Sequence, residues 1–532
     1  MSNFARKKTS GACSPRNIMK ILSNHEIREL EKLTASQYGV SVLDQIENAG
    51  ALIADEIQRG WPVEVPVTVF AGWGNNGADA MCAASRLLEN GYSVSVYIFN
   101  VKAGRMTAQC RAMRDRLKKS RDERLEIHEI TGRDLFAMPH IQPGSLVIDG
   151  LFGSGLSGAL PRVFEMLIKS INDSGADIVA VDMPSGLHSD DNENRSVENM
   201  IHATLTLAET APRLSFMLSE FSQAVGEWKV LDIGVSSQAI RQAPYTYYLV
   251  RRSTVAPFLK RRPQFCSKAD FGSAMIAAGS TGMYGAAVMA ATGCLRAGAG
   301  KVTVHSAQAG MPVLQTAQPS AMFKSDLGHD HITDMSGWKK YDAIAVGPGI
   351  GTHNQTIEAL EVLLKTANAA GQPLVIDADA LNCMALKPIM LDYLPVLSVL
   401  TPHAGEFDRL FGQHDTDWQR IERAIAVAAF NKVIIVLKGR FTAIVRPDGK
   451  VFFNASGCPA MATPGSGDVL TGVLAAFMAQ GYKPEKATLI ACCVHGTAGE
   501  LVQAEQGEYG ATASDIADNI GKAIRLIMNQ SR

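Results

Sequence analysis

Val65-Pro66-Val67-Thr68-Val69-Phe70-Ala71-Gly72-Trp73-Gly74-Asn75-Asn76-Gly77-Ala78-Asp79-Ala80 passes from an apolar run through a glycine loop into a segment of helical period, Asp79–Glu89. Apolar at successive rather than alternate positions, the run reads as a strand buried on both faces. Short side chains at the strand-to-helix turn let a phosphate approach the backbone, and the two asparagines add amide donors and acceptors. Taken alone, the loop also reads as a tight turn that uses Asn and Gly for positive φ.

Working outward, apolar runs recur at Tyr92–Phe99, Ser145–Leu151, Asp177–Asp182 and Ala203–Leu207, with helical segments such as Ala108–Lys118 between them. That alternation predicts a doubly wound parallel sheet for the first half. It fails between Val235 and Gln264, where Pro244, three tyrosines and the basic runs Arg251-Arg252 and Lys260-Arg261-Arg262-Pro263 stand. A boundary near residue 245 is expected, with 241–264 as a linker, an N-terminal domain over 18–240 and a C-terminal domain over 265–530. The second half restarts the alternation with Ser273–Ala278, Lys301–His305, Ala343–Val346, Pro373–Ile376, Val396–Leu400 and Val433–Leu437. Nearly every strand carries Gly, Asp or His at or just beyond its carboxyl end, where open parallel sheets bind ligands.

Two large α/β domains fit the 532 residues, 46% hydrophobic and 19% charged, with 47 glycines. Lys plus Arg total 51 against 52 Asp plus Glu, and a net charge of −1 gives no electrostatic footprint for nucleic acid or an anionic membrane. The nine cysteines include no CxxC pair and the adjacent Cys492 and Cys493 bridge poorly, which argues for a reducing compartment and against zinc. Phe271–Leu295 lacks charge, yet its glycines, serine and threonines read as strand, loop and buried helix rather than a membrane span. Residues 1–17 carry Arg6, Lys7, Lys8 and Arg16 with no apolar core, so a disordered tail is expected rather than a secretory signal. A cytoplasmic chain follows.

Two further glycine loops follow strands in the first half. Asp149-Gly150-Leu151-Phe152-Gly153-Ser154-Gly155-Leu156-Ser157-Gly158 contains GxGxxG, with Asp182 29 residues beyond Gly153, so a hydride-transferring Rossmann enzyme has to be weighed. Asp149 ahead of the glycines and Pro161 close behind suit a ligand loop better than that fingerprint. With Asp182-Met183-Pro184-Ser185-Gly186 after the next strand, Asp149 and Asp182 near Asn76 can hold a monovalent cation or do acid/base work, while each alone reads as a helix cap. In the second half, Asn454-Ala455-Ser456-Gly457 and Met461-Ala462-Thr463-Pro464-Gly465-Ser466-Gly467-Asp468 lead into an apolar helix. Small residues there let N–H groups converge on an anion, and Asp468 in the first turn is suited to act as a base beside it. The helix N-terminus is expected to lower the pKa of Asp468.

In order, Leu43-Asp44-Gln45-Ile46-Glu47-Asn48-Ala49-Gly50, GWGNNGAD, DGLFGSGLSG and VDMPSG resemble the epimerase domain of the NAD(P)H-hydrate repair enzymes. The second half resembles the dehydratase domain of the same system, a ribokinase-like fold. That likeness runs through Lys268-Ala269-Asp270-Phe271-Gly272, Ala278–Ala286, Gly347–Gly351, Asp377-Ala378-Asp379-Ala380-Leu381-Asn382, Thr401–Glu406, Lys438–Thr442 and Gly465–Asp468. The implied architecture is a Rossmann-like doubly wound domain followed by a ribokinase-like α/β domain. The implied function is interconversion of R- and S-NADHX or NADPHX, then nucleotide-driven dehydration of the S form to NADH or NADPH.

By position, the resemblance implies that Asn75, Asn76, Gly77, Ala78 and Asp79, together with Gly153, Ser154, Gly155, Leu156, Ser157, Gly158 and Ala159, bind the first substrate. Asn76, Asp149 and Ser185 would coordinate K+, and Asp182 would touch the substrate as acid/base. In the second half Gly349, His403 and Asp468 would line the hydrate pocket, with Asp468 catalytic. Lys438, Gly439, Arg440, Phe441, Thr442 and Gly467 would bind ADP, with ATP as the alternative and Mg2+ bridging the phosphates. Outside this context Lys438 reads as a surface lysine and His403 as a loop histidine. The domain fusion, ADP, K+, Mg2+ and assembly as a homo-oligomer are expectations of the resemblance.

Departures from the family pattern fall at Ala78 and Ala80, where glycines are usual, at Arg213, where lysine is usual, and at Ser267-Lys268-Ala269 and Ala380. A positive φ at Ala78 would cost about 1–2 kcal/mol. Two rivals stand beside the repair reading. A ribokinase-like small-molecule kinase would share the GSGD cradle but have no use for the first half, and an active dehydratase could carry a non-catalytic N-terminal binding module.

Overall fold

A strand at Val67–Ala71 lies between Val94–Phe99 on one side and Leu146–Gly150 on the other in the computed structural model. The model describes residues 19–100, 106–131, 139–153, 156, 158, 160–190, 192, 195–243 and 245–530. The chain divides into two units at Tyr247, inside the strand Tyr247–Val250. Much of the expected linker 241–264 is therefore folded: Leu249 and Val250 are fully buried in that strand, and the helix Arg252–Val255 follows it. Tyrosine and valine outweigh the nearby proline and basic residues because the strand lies inside a sheet. The expected tail, 1–17, lies outside the described residues.

The N-terminal unit carries a seven-stranded sheet in the order Leu125–Ile130, Val94–Phe99, Val67–Ala71, Leu146–Gly150, Asp177–Val181, Leu205–Glu209, Glu227–Leu231. Every adjacent pair is parallel. Val67, Val69 and Ala71 enter one apolar cluster and Phe70 the other, which is why the run is apolar on both faces apart from the half-buried Thr68. Chain direction across the sheet reverses at Val67–Ala71, so the loops after Ala71 and Gly150 flank the topological switch point. Leu125–Ile130 and Glu227–Leu231 were not legible as strands because each alternates buried or half-buried with exposed positions at the sheet edge.

In the C-terminal unit an eleven-stranded sheet includes, in spatial order, Val399–Leu400, Leu374–Ile376, Ala343–Val346, Ser273–Ala277, Lys301–Ser306 and Met322–Ser325, all parallel. Ile434–Leu437 joins beyond Val399–Leu400 and turns back through the antiparallel strands Ala443–Val445 and Val451–Asn454. The uncharged stretch 271–295 resolves into the strand Ser273–Ala277 and the helix Tyr284–Arg296. That helix packs on Ser466–Ala479 so closely that a Cβ on Gly472 would lie 1.9 Å from Ala290 O, and one on Gly293 2.5 Å from Val469 O. Among the described residues no helix is long and apolar enough to cross a membrane.

Candidate active sites

Most long helices of this chain begin on a capping side chain: Ser23, Ser41, Thr107, Thr416 and Thr512 each accept a bond from the first turn. The helices Asn75–Glu89 and Ser466–Ala479 begin instead on Gly74 and Gly465, with no side-chain cap. Apart from Ser466 N, which donates to Thr463 O (3.3 Å), their first N–H groups are left for a ligand, and the helix dipole favours an anionic one.

In the N-terminal unit Asn75, Asn76, Gly77, Ala78 and Asp79 form the opening of the helix rather than a loop ahead of it. Ala78 is thus helical and unstrained, which corrects the expected cost of a positive φ there. Ala80 fits because it faces glycine: a Cβ on Gly150 would come within 2.4 Å of the Ala80 Cβ. Gly77 and Gly72 let the helix start and the 149–153 loop meet, since a Cβ on Gly77 would lie 2.1 Å from Gly72 O and one on Gly72 1.9 Å from Leu151 O.

Asn76, Asp149 and Ser185 converge at this junction. With its amide oriented to satisfy both neighbours, Asn76 donates to Val181 O (3.0 Å) and accepts from Gly153 N (3.2 Å). Asp149, fully buried, accepts from Ser185 N (2.7 Å), Ser185 Oγ (2.6 Å) and Leu151 N (3.2 Å), and Ser185 Oγ accepts from Phe152 N (2.9 Å). Burial pushes the Asp149 carboxyl up to about 6 against these hydrogen bonds. Gly158 adopts φ +78 and Leu156 N bonds Gly153 O. Ser154, Gly155, Ser157 and Ala159 lie outside the described residues.

Asp182 opens the next loop at φ +62, and Thr210 does the same one strand over at φ +67. Each centres a γ-turn, closed by Met183 N to Val181 O and by Ala211 N to Glu209 O, both 2.7 Å. Asp182 is ion-paired with Arg213, which is 0% exposed and also reaches Asn24 Oδ1 (3.2 Å) and the carbonyls of Glu209 and Ala211. Asp79, Glu209 and Glu31 complete a carboxyl cluster with Asp182. Burial, then the charges of Asp182 and Glu31, hold Asp79 well above the usual carboxylate range. Burial and the three neighbouring acids do the same to Glu209, against Arg213, and burial and Asp182 push Glu31 up to about 7. Glu31 and Glu209 went unread in the sequence, being single acids on a helix and a strand end with no motif around them.

In the C-terminal unit a cavity of about 710 Å³ opens beyond the ends of Leu374–Ile376, Val399–Leu400 and Ile434–Leu437. His403, Lys438, Gly439, Arg440, Thr442, Gly467 and Asp468 line it, joined by Asp377, Glu406 and His495, which the sequence reading left without a role. Lys438 is no free surface lysine: its Nζ lies 3.0 Å from Asp377 Oδ1 and 3.6 Å from Glu406 Oε2. Burial works against its charge, yet these two carboxylates raise its pKa. Asp377 also accepts from Thr471 Oγ1 (2.5 Å), and the following Ala378 is held at φ +48. His403 caps the helix Ala404–Phe411 by accepting from Gly405 N (3.0 Å) and Glu406 N (3.3 Å) at Nδ1, which leaves the proton on Nε2.

Asp468 contradicts its expected pKa. Its carboxyl is pushed up to about 7, first by burial and then by Asp377, with Lys438 opposing and Asp379 and Glu406 adding to the rise. The helix dipole is outweighed by desolvation and by carboxylates distant in sequence. Gly349 (φ +62) sits in the neighbouring loop at this sheet's switch point, where its carbonyl accepts from Ser280 Oγ (2.9 Å). Phe441 is likewise outside the cavity lining, with the Arg440 guanidinium 4.7 Å from its ring centroid.

Residues 274–522 match the family model described as NAD(P)H-hydrate dehydratase, and residues 43–215 match that of the YjeF-related protein N-terminus. A bifunctional NAD(P)H-hydrate repair enzyme of Moorella thermoacetica is 31% identical over 95% of this chain and 97% of its own length. The chain belongs to the bifunctional NAD(P)H-hydrate repair enzymes. One of Thermofilum pendens is 30% identical over 96% of this chain and 97% of its own. An ADP/ATP-dependent NAD(P)H-hydrate dehydratase from Bacillus subtilis, co-crystallised with ATP/Mg2+, is 29% identical over 52% of this chain and 99% of its own, with a TM-score of 0.44. The residues of the C-terminal cavity fall within the stretch 274–522, and those of the N-terminal junction within 43–215 apart from Asn24 and Glu31.

Proposed function

We propose that the N-terminal site equilibrates R- and S-NAD(P)HX and that the C-terminal site dehydrates the S form to NAD(P)H with ADP as the preferred nucleotide. The observation that carries the reading is the meeting, in one cavity, of an uncapped helix N-terminus with a carboxyl of raised pKa and a buried Lys–Asp pair. A hydroxyl leaves poorly, and the nucleotide supplies the phosphoryl group that makes it a good leaving group. Asp468 holds the position of a base for the C6 hydroxyl proton, and a carboxyl titrating near neutral pH suits proton transfer in that range. The N–H groups of Gly465 and Gly467 face charge developing on the phosphoryl oxygens, with Ser466 N tied back to Thr463 O, while Lys438, Gly439, Arg440 and Thr442 hold the nucleotide. His403 would present Nε2–H to the substrate, and Gly349 would shape its rim.

Magnesium would enter bound to the nucleotide's phosphates. Asp377 and Glu406 are engaged with Lys438, and no cluster of three or more acidic, His or Cys ligands for a metal exists among the described residues. The N-terminal junction suits a monovalent cation better: Asn76, Asp149 and Ser185 offer oxygen donors, and the buried Asp149 carboxylate gains from one positive charge. Potassium there would fix the 149–153 loop. The 75–79 helix start and Gly153–Ala159 would hold the hydrate, and Asp182 would move its proton. Assembly as a homo-oligomer belongs to the same proposal.

Two single substitutions in the full chain test the division of labour. Asp182→Asn should consume S hydrate normally and leave R hydrate to its spontaneous rate. Asp468→Asn should equilibrate the two epimers and form no NADH. If Asp182→Asn consumes pure R hydrate as fast as the unsubstituted chain, the N-terminal assignment falls.

A further inference from the structure

Four carboxyl groups, Glu31, Asp79, Asp182 and Glu209, face one another in the N-terminal site around a single buried guanidinium, that of Arg213. Asp79, Asp182 and Glu209 are 4%, 5% and 8% exposed, and Arg28 adds positive charge against Glu31. Two cations cannot hold four ionised acids in so dry a place, so some carry protons. The distribution is uneven. Arg213 gives its side-chain ion pair to Asp182 and only a backbone contact, to the carbonyl, at Glu209. Glu209 Oε1 is buried and has no hydrogen-bond partner among the described residues. An orphaned oxygen on a carboxyl that is more than nine-tenths buried, beside the Asp182 and Arg213 ion pair, marks a place for a ligand polar group.

We propose that Glu209 is a second acid/base residue of the N-terminal site, a neutral carboxylic acid that donates its proton to the C6 hydroxyl of the hydrate while Asp182 serves the entering water. The proposal rests on the epimerase reading of this unit. As the C6–O bond breaks, the departing oxygen takes the Glu209 proton and leaves as water, and the N1 lone pair forms the N1=C6 double bond. Water then adds to the opposite face of C6, its electron pair forming the new C6–O bond as N1 recovers its lone pair. The proton it sheds passes to Asp182. Exchange with solvent then returns a proton to Glu209 and removes one from Asp182, restoring the starting state with no oxidant or reductant. The two residues adjoin in the site, the Glu209 main-chain N donating to Asp182 Oδ1 at 3.5 Å. Burial and the three acids raise the Glu209 pKa against Arg213, with Glu31 and Asp79 acting from two helices and Asp182 and Arg213 from loops.

The test follows R-to-S conversion by chromatography of purified epimers with the full chain and with Glu209→Gln, across pH. Gln preserves size and hydrogen bonding, so a structural role predicts near-normal activity, whereas the acid role predicts a loss of about 10²-fold or more in kcat. Unsubstituted chain should also show kcat falling as rising pH ionises Glu209, and this readout needs no variant to fold. Glu209→Gln should lack that limb. A variant within threefold of the parent with the same pH profile overturns the proposal while leaving the epimerase reading intact. An unsubstituted chain that epimerises nothing overturns both.

Discussion

Lys438 Nζ lies 3.0 Å from Asp377 Oδ1 beneath the first turn of the Ser466–Ala479 helix, and this ion pair governs the charge that Asp468 feels. Asp377 raises the Asp468 pKa and Lys438 lowers it, with burial the larger cause, leaving the group at about 7. As a base, Asp468 must be ionised, so dehydration is expected to rise with pH through about 7 and level off above. Lys438→Gln removes the stabilising cation and should move that limb to higher pH. Asp377→Asn removes the repelling anion and should move it lower. Shifts of about one unit correspond to about 1.4 kcal/mol. Rate profiles of S-hydrate dehydration for the three proteins provide the check.

Gly467 tests the nucleotide cradle apart from the base. A Cβ there would sit 3.3 Å from Lys438 Nζ, in a helix where alanine is otherwise the better residue. Gly467→Ala should keep the thermal stability of the chain and weaken ADP binding by roughly tenfold, about 1.4 kcal/mol. Calorimetric titration with ADP and a melting curve separate the two.

Arg213 is a structural matter before it is a catalytic one. Fully buried and ion-paired with Asp182, it leaves an uncompensated carboxylate when removed. Arg213→Ala should destabilise the N-terminal unit by about 3–5 kcal/mol. Arg213→Lys, which keeps the charge but loses the several-donor geometry, should recover part of this. Denaturant unfolding followed by hydrogen exchange in the Val67–Ala71 strand measures it.

Potassium should matter to one activity alone. Replacing it with choline is expected to slow conversion of R hydrate and leave dehydration of purified S hydrate unchanged, because the oxygen donors of Asn76, Asp149 and Ser185 belong to the N-terminal site. Equal slowing of both reactions would contradict that placement.

Much of this was legible in the chain because the information is local. The largely apolar run Val67–Ala71 and the glycines after it sit where strand order reverses, and Gly465–Asp468 opens a helix as its small residues require. The helix at Asn75 was placed four residues late, since Asn-Asn-Gly has poor helix propensity and Gly74 offers no capping side chain. Asp468 was misjudged because its neighbours in sequence supply the dipole, whereas Asp377 and the desolvation come from the fold. Lys438 appeared solvated for the same reason. Glu209 ends the buried strand Leu205–Glu209, and nothing in its surroundings announces that Glu31 and Asp79 arrive beside it.

The measurement that bears most directly on the central claim is the absorbance of reduced nicotinamide after mixing the full chain with an R/S mixture of NADHX, potassium, magnesium and ADP. The account predicts a nucleotide-dependent rise to complete conversion, faster than spontaneous epimerisation allows, and none with Asp468→Asn. No rise with ADP or ATP, in a folded protein that still binds ADP, would contradict it and point to phosphoryl transfer onto a stable acceptor instead.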